Sequence, residues 1–188
     1  MSFGGELVFV GPNTGLDDFQ DWAHERIGAQ RPTAAATQLG NKVYPTVHGE
    51  VSRDVNFGSG VFRPFVEAQV GIENYARIGF DTVFGKNVSQ NFFVRDPVTG
   101  HLLTNVRHSD ERSFGFMIGG DMAYVGDSDL LPGSRGVEVR DFRPRARAGF
   151  LYEGENAGLF YGVTYLGKEF ENQREGQFTG SLSVKFNF

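Results

Sequence analysis

Gln20 and His24 stand four residues apart in the only stretch of this chain with a helical pattern. Residues at that spacing are neighbours on one side of a helix. Imidazole titrates near neutral pH, so His24 could act as a general base on water, with the Gln20 carboxamide holding its ring. The same spacing also describes a solvated histidine beside a glutamine, and spacing alone leaves both readings open. The helix itself is signalled by Asn13 or Thr14 as a cap, Asp17 and Asp18 in the first turn, and Gly28 at its end. Phe19, Trp22, Ala23 and Ile27 fall near one face.

Other polar constellations are weaker. His101 and His108 flank a polar stretch with Asp110 and Glu111, which reads as a solvated loop because no metal-ligand spacing stands out. His48, Glu50 and Asp54 share the polar side of one strand; a metal site is conceivable there, but a network of enclosed charges is the simpler reading. No phosphate-binding glycine loop, nucleophile elbow or zinc pattern occurs.

The elements that must position these groups are strands. From Phe178 to Phe188, Phe178, Gly180, Leu182, Val184, Phe186 and Phe188 alternate with Thr179, Ser181, Ser183, Lys185 and Asn187, one apolar and one polar face. About eight such segments recur: 2–11, 42–56, from Phe62 to about Glu73, from Ala76 to Phe84, from Phe114 to Tyr124, from Phe142 to Tyr152, 157–166 and 178–188. Long connections are expected at 12–41, 85–112 and 126–136, and tight turns at Phe57–Gly60, near Asn74 and at Gly154–Asn156. Connections alternate between long loops and short turns, as they do at the two ends of an outer-membrane barrel. The polar faces carry Glu6, Glu50, Asp54, Arg63, Glu67, Arg77, Asp81, Asp121, Arg143, Arg145 and Arg147. Both signs are present, as an enclosed lumen requires, since unpaired buried charge is very costly.

The 188 residues fit a single domain over 1–188. With no run of about 18 apolar residues, a transmembrane helix is excluded, but strands that are apolar on one side only give a weak hydropathy signal; the mean hydropathy of -0.31 is consistent with that. The absence of Cys removes any disulfide or thiolate framework. A net charge of -5 without a basic cluster argues against nucleic acid as a partner. The expectation is an all-β antiparallel transmembrane barrel with one short α-helix in a long extracellular loop. With no secretory leader after Met1, the chain reads as a mature or shortened form.

The run Gly11-Pro12, Gln20-Asp21-Trp22-Ala23-His24, Gly28, Pro32 and Gln38-Leu39 resembles the outer-membrane lipid A 3'-O-deacylase family. Tyr165 to Phe170 and Gly176 to Phe188 are similar to that family's closing hairpin. The resemblance implies a twelve-stranded barrel in the bacterial outer membrane that removes the 3'-linked acyloxyacyl group of lipid A by calcium-dependent hydrolysis. It gives His24 the role of base on water and Gln20 that of its support. It further implies lipid A or lipopolysaccharide, outer-membrane lipids and the barrel-assembly machinery as partners, and a monomer. The family's remaining active-site groups (an Asn-Asp pair, a hydroxyl residue and a Lys) belong to earlier strands, so this chain is expected to match about the last eight. Calcium ligands are then expected outside it, and no metal ligand is assigned. The chain also reads Ala34-Ala35-Ala36 where the family usually shows Gly-Trp-Asp. Deacylation is therefore expected to be weak or absent.

Two other classes are compatible with the sequence. One is a non-enzymatic eight-stranded outer-membrane barrel serving as anchor, scaffold or binding protein. The other is a soluble barrel for a small apolar ligand, which requires the apolar faces to turn inward.

Overall fold

The computed structural model describes residues 1–14, 22, 25–26, 39–96, 99–107, 111–131, 133 and 138–186. Alternation becomes strand throughout: β1 (Ser2–Val10), β2 (Lys42–Ser52), β3 (Val55–Phe57), β4 (Gly60–Val70), β5 (Glu73–Lys86), β6 (Asn91–Arg95), β7 (Leu102–Arg107), β8 (Ser113–Ser128), β9 (Phe142–Glu153), β10 (Ala157–Leu166) and β11 (Gln177–Phe186). The main sheet runs β1-β2-β4-β5-β8-β9-β10-β11, with β3 paired to β4. All its pairings are antiparallel, and it curls into a half-barrel. Among the described residues no helix is long and apolar enough to cross a membrane.

The expected strand over 42–56 is divided into β2 and β3. Its register runs Val51↔Val66 and Ser52↔Phe65, so Arg53 meets Pro64 next. The Arg53 N–H donates to the Pro64 carbonyl at 3.3 Å, but proline has no N–H to return, and the ladder breaks there.

The sheet is inverted relative to a soluble protein. Val66, Ile78, Phe80, Phe116 and Ile118 stand exposed on the outer face, Ile78 at 65%. Arg63, Glu67, Asp81, Asp121 and Arg147 are buried on the inner one. A continuous apolar outer band over a charged lumen is what a bilayer demands of a barrel.

The largest departure from the expected organisation is the connection over 87–112. Antiparallel pairing places it at the same end of the sheet as the tight turns Gly58–Ser59 and Gly154–Asn156. The connections 11–41, 129–141 and 167–176 lie at the opposite end, together with the short Gly71–Ile72 turn. Loop length therefore does not alternate strictly from end to end. Rather than hanging free, this connection turns back and enters the lumen as the β6–β7 hairpin. Its Phe93 and Leu102, with Val88, join Val61, Val83, Met117, Leu151 and Phe160 of the wall in one apolar cluster. At the hairpin tip Gly100 has φ +75, and a Cβ there would meet Arg145 Nη2 at 2.9 Å, so only glycine fits.

β1 and β11 do not pair with each other among the described residues. The closed, narrow eight-stranded barrel that the sequence allowed is thus not formed. Eight strands enclose room for side chains alone, whereas a two-stranded ribbon in the lumen requires a wider curve.

Candidate functional site

Two regions collect chemistry-bearing residues. The first is the loop end of β1 and β2. Gly11 takes φ +115, and a Cβ on it would meet the Asn41 backbone at 2.6 Å; glycine lets the departing and returning chains touch. Pro12–Thr14 forms a 3-10 turn. The Thr14 hydroxyl donates to the Gly11 carbonyl at 2.8 Å, and the Thr14 N–H to the same oxygen at 3.1 Å. Beside this turn lies a cleft of about 470 Å³ lined by Phe9, Val10, Thr14, Asn41, Lys42 and Val43. The Lys42 ammonium sits 4.3 Å from the centre of the Tyr44 ring and 3.7 Å from Asp129. The cleft therefore joins an apolar floor to a half-exposed cation.

Of the expected loop helix, Trp22, Glu25 and Arg26 have helical backbone, and the Arg26 guanidinium lies 5.6 Å from the centre of the Trp22 ring one turn back. Gln20 and His24, with the Ala34-Ala35-Ala36 run, lie outside the described residues.

The second region is the lumen. Arg147 donates Nε to Asp81 at 2.7 Å and Nη1 to Asp121. Arg145 grips Asp121 through Nε and Nη2, both at 3.0 Å at their shortest, and Arg77 Nε stands 3.1 Å from the same carboxylate. Arg95, on β6, reaches across to Glu50 at 2.5 Å and Asp81 at 2.8 Å. Tyr75 and Arg77 share Glu67, and Arg143 pairs with Glu73. Each carboxylate answers at least one guanidinium, which offsets the cost of enclosing it.

Of His48, Glu50 and Asp54, the carboxylates pair with Arg95 and Arg63, while the His48 ring lies under Gly4, whose Cβ would meet it at 2.8 Å. The three do not converge, and the charge-network reading is the one the lumen carries. Among the described residues no three His, Asp or Glu side chains gather as a metal site.

His101 departs from expectation. The polar stretch around it predicts a solvated loop, yet His101 is 0% exposed. Its Nε2 lies 3.0 Å from Thr164 Oγ1, and its ring centre 4.9 Å from that of Phe160. Thr164 Oγ1 itself donates to the Thr99 carbonyl at 3.2 Å. Burial first, and the Arg147 charge next, push the His101 pKa down to about 4. His108 and Asp110 lie outside the described residues, and Glu111 accepts from Asn87 Nδ2 at 2.9 Å. The hairpin that buries His101 did leave a sequence signal. Phe92 to Arg95 and Leu102 to Arg107 flank Asp96 and Gly100, a turn in which Asp96 Oδ2 accepts from the Thr99 N–H at 2.9 Å.

An apolar wall facing outward around a paired-charge lumen, built wholly from antiparallel strands, defines an integral β-barrel protein of the bacterial outer membrane. The family described as Outer membrane protein LpxR matches residues 2–188, and the chain belongs to it. The fold is similar to that of a solved structure, LpxR from Salmonella typhimurium, with a TM-score of 0.79 and 19% sequence identity. That similarity covers 99% of this chain but 66% of the other, so the chain spans about two thirds of its length. No curated protein matches the chain.

Proposed function

We propose that the chain is an outer-membrane hydrolase of the lipid A 3'-O-deacylase type, in which His24 acts as base on water and Gln20 orients its ring. The observation that carries this reading is the cleft at the start of the 11–41 connection, with Phe9, Val10 and Val43 along the wall and Lys42 at its rim. Such a cleft suits a lipid with both acyl chains and phosphate, and it adjoins the segment that carries the Gln20–His24 pair in sequence. Family membership and the spacing of Gly11-Pro12, Gln20 and His24 support the same reading.

The calcium implied for such hydrolysis finds no ligand set among the described residues; the lumen carboxylates are already bound to arginines. A general base alone contributes roughly 10²–10⁴-fold, so turnover by this chain is expected to be slow. Mass spectrometry of lipid A incubated with the refolded protein and calcium tests the reading. Loss of the 3' acyloxyacyl group, abolished by His24→Ala, supports it.

Unaltered lipid A favours the second reading, a non-enzymatic barrel acting as an anchor or binding protein. The lumen filled by the β6–β7 hairpin favours that alternative.

A further inference from the structure

The outer wall carries a second groove, away from the 11–41 connection, of about 670 Å³. Its floor is Pro64 on β4, a low ring among taller side chains. On one side stand Phe62 and Phe80, with ring centres 5.9 Å apart. On the other stand Val66 and Ile78, opposite each other in register. Arg53 lines the groove at the point where the Pro64 carbonyl accepts its N–H.

Arg53 is the unusual member. It follows Val51 on the lipid-facing side of the chain, is exposed, and has no ion pair among the described residues. Its neighbour Asp54 is already held by Arg63. A guanidinium on the outer wall is tolerated only where it reaches the interface and an anionic group there. It lies toward the end of the sheet that carries the tight turns Gly58–Ser59 and Gly154–Asn156 and the connection that folds back into the lumen, opposite the connections 11–41, 129–141 and 167–176, and the longer loops of such barrels mark the outer end. The leaflet on that side consists of glycerophospholipid, with phosphate at the depth of the strand ends.

We infer that this groove is a seat for one glycerophospholipid of the periplasmic leaflet, its acyl chain lying over Pro64 between the Phe62–Phe80 and Val66–Ile78 pairs and its phosphate on Arg53. The apolar groove gives the acyl chain a recess, and the guanidinium, with no ion pair among the described residues, supplies the anion partner. The inference is independent of whether His24 hydrolyses lipid A.

The test uses the protein in phosphatidylglycerol vesicles doped with a phosphatidylglycerol bearing a diazirine in its acyl chain, followed by ultraviolet cross-linking and peptide mass spectrometry. Cross-links on 51–53, 62–66 and 78–80 are expected to exceed, by at least about fivefold, those on Phe142, Leu159 and Tyr161, which are comparably exposed on the outer wall. Pro64→Trp, which fills the recess, removes the excess; Val66→Trp does the same if the first variant does not fold. Arg53→Gln lowers it for the anionic probe. Labelling spread evenly over the wall overturns the inference, as does an excess that survives filling of the recess. Preferential labelling by a diazirine-bearing lipid A also overturns it, because the occupant would then be the wrong lipid.

Discussion

Arg95 on the luminal hairpin donates to Asp81 on the barrel wall at 2.8 Å. Asp81 meanwhile receives Arg147 Nε at 2.7 Å from the other side. One carboxylate thus ties the plug to the sheet and neutralises part of two guanidinium charges. Asp81→Asn removes one of two anions from each arginine, Arg95 keeping Glu50 and Arg147 keeping Asp121, so its cost is expected below the about 3–5 kcal/mol of a buried charge left without a partner. Arg95→Met is expected to cost more, because Asp81 keeps Arg147 but Glu50 is left without a guanidinium among the described residues. Urea unfolding of the vesicle-inserted protein measures both, and a larger loss in Asp81→Asn than in Arg95→Met would contradict this arrangement.

The hairpin tip depends on one backbone conformation. Gly100→Ala places a side chain at φ +75 against Arg145. Such strain costs on the order of 1–3 kcal/mol. The expected result is faster protease cleavage near Asp96–Gly100 with little change in the strand content of the wall, read by limited proteolysis and circular dichroism.

His101 gives the fold a pH dependence of definite sign. Thr164 gives its proton to the Thr99 carbonyl, so its oxygen accepts from His101 Nε2, and the buried Nδ1 has no hydrogen-bond partner among the described residues. A proton on Nδ1 would face Arg147 and Arg145, only partly answered by Asp81 and Asp96. The unfolded imidazole titrates near 6.5, the folded one at about 4. As pH falls the unfolded chain takes up the proton first. The contribution is therefore complete above about pH 6.5 and is lost between about 6.5 and 4. Urea midpoints are expected to decline over that window in the native protein and to flatten in His101→Gln; an unchanged slope would place the ring in water.

The orientation of the wall can be tested at Ile118. This residue lies midway along β8 on the outer face and is 50% exposed. Arginine at a bilayer midplane costs roughly 2–4 kcal/mol in such barrels. Ile118→Arg is expected to lower stability in vesicles by that amount, while Thr179→Arg, on the opposite face at an open edge, changes it little. A harmless Ile118→Arg would mean that this face is not in lipid.

If the proposed hydrolysis holds, His24→Ala lowers lipid A deacylation by about 10²–10⁴-fold, the usual contribution of a general base. Gln20→Ala is expected to lower it less, since it removes only the support of the ring. Equal and small effects from both would assign the pair to the solvated surface of the loop.

The alternation of Phe, Val and Ile with charged residues made the eight wall strands legible, because a period of two maps directly onto two faces. The charged lumen was legible too: Arg143, Arg145 and Arg147 alternate with Pro144, Ala146 and Ala148, and all three arginines meet carboxylates inside. The β6–β7 hairpin is not legible in the sequence, although Phe92 to Val94 and Leu102-Leu103 bracket a turn, because short apolar runs in a polar stretch look alike whether they lie in solvent or in a lumen. His101 was consequently read as solvated; its burial depends on Thr164 and Phe160, more than fifty residues away.

The order of residues along the chain settles local matters: which residues alternate, where the chain turns, and that Gln20 and His24 lie one helical turn apart if that segment is helical. Tertiary structure alone decided which end of the sheet each connection leaves from, that one of them doubles back to fill the lumen, and which arginine meets which carboxylate. The physical reason is range. Side-chain alternation is fixed by neighbouring residues, whereas the pairing of Arg95 with Asp81, or of His101 with Thr164, depends on strands brought together by a register that no short window of sequence contains.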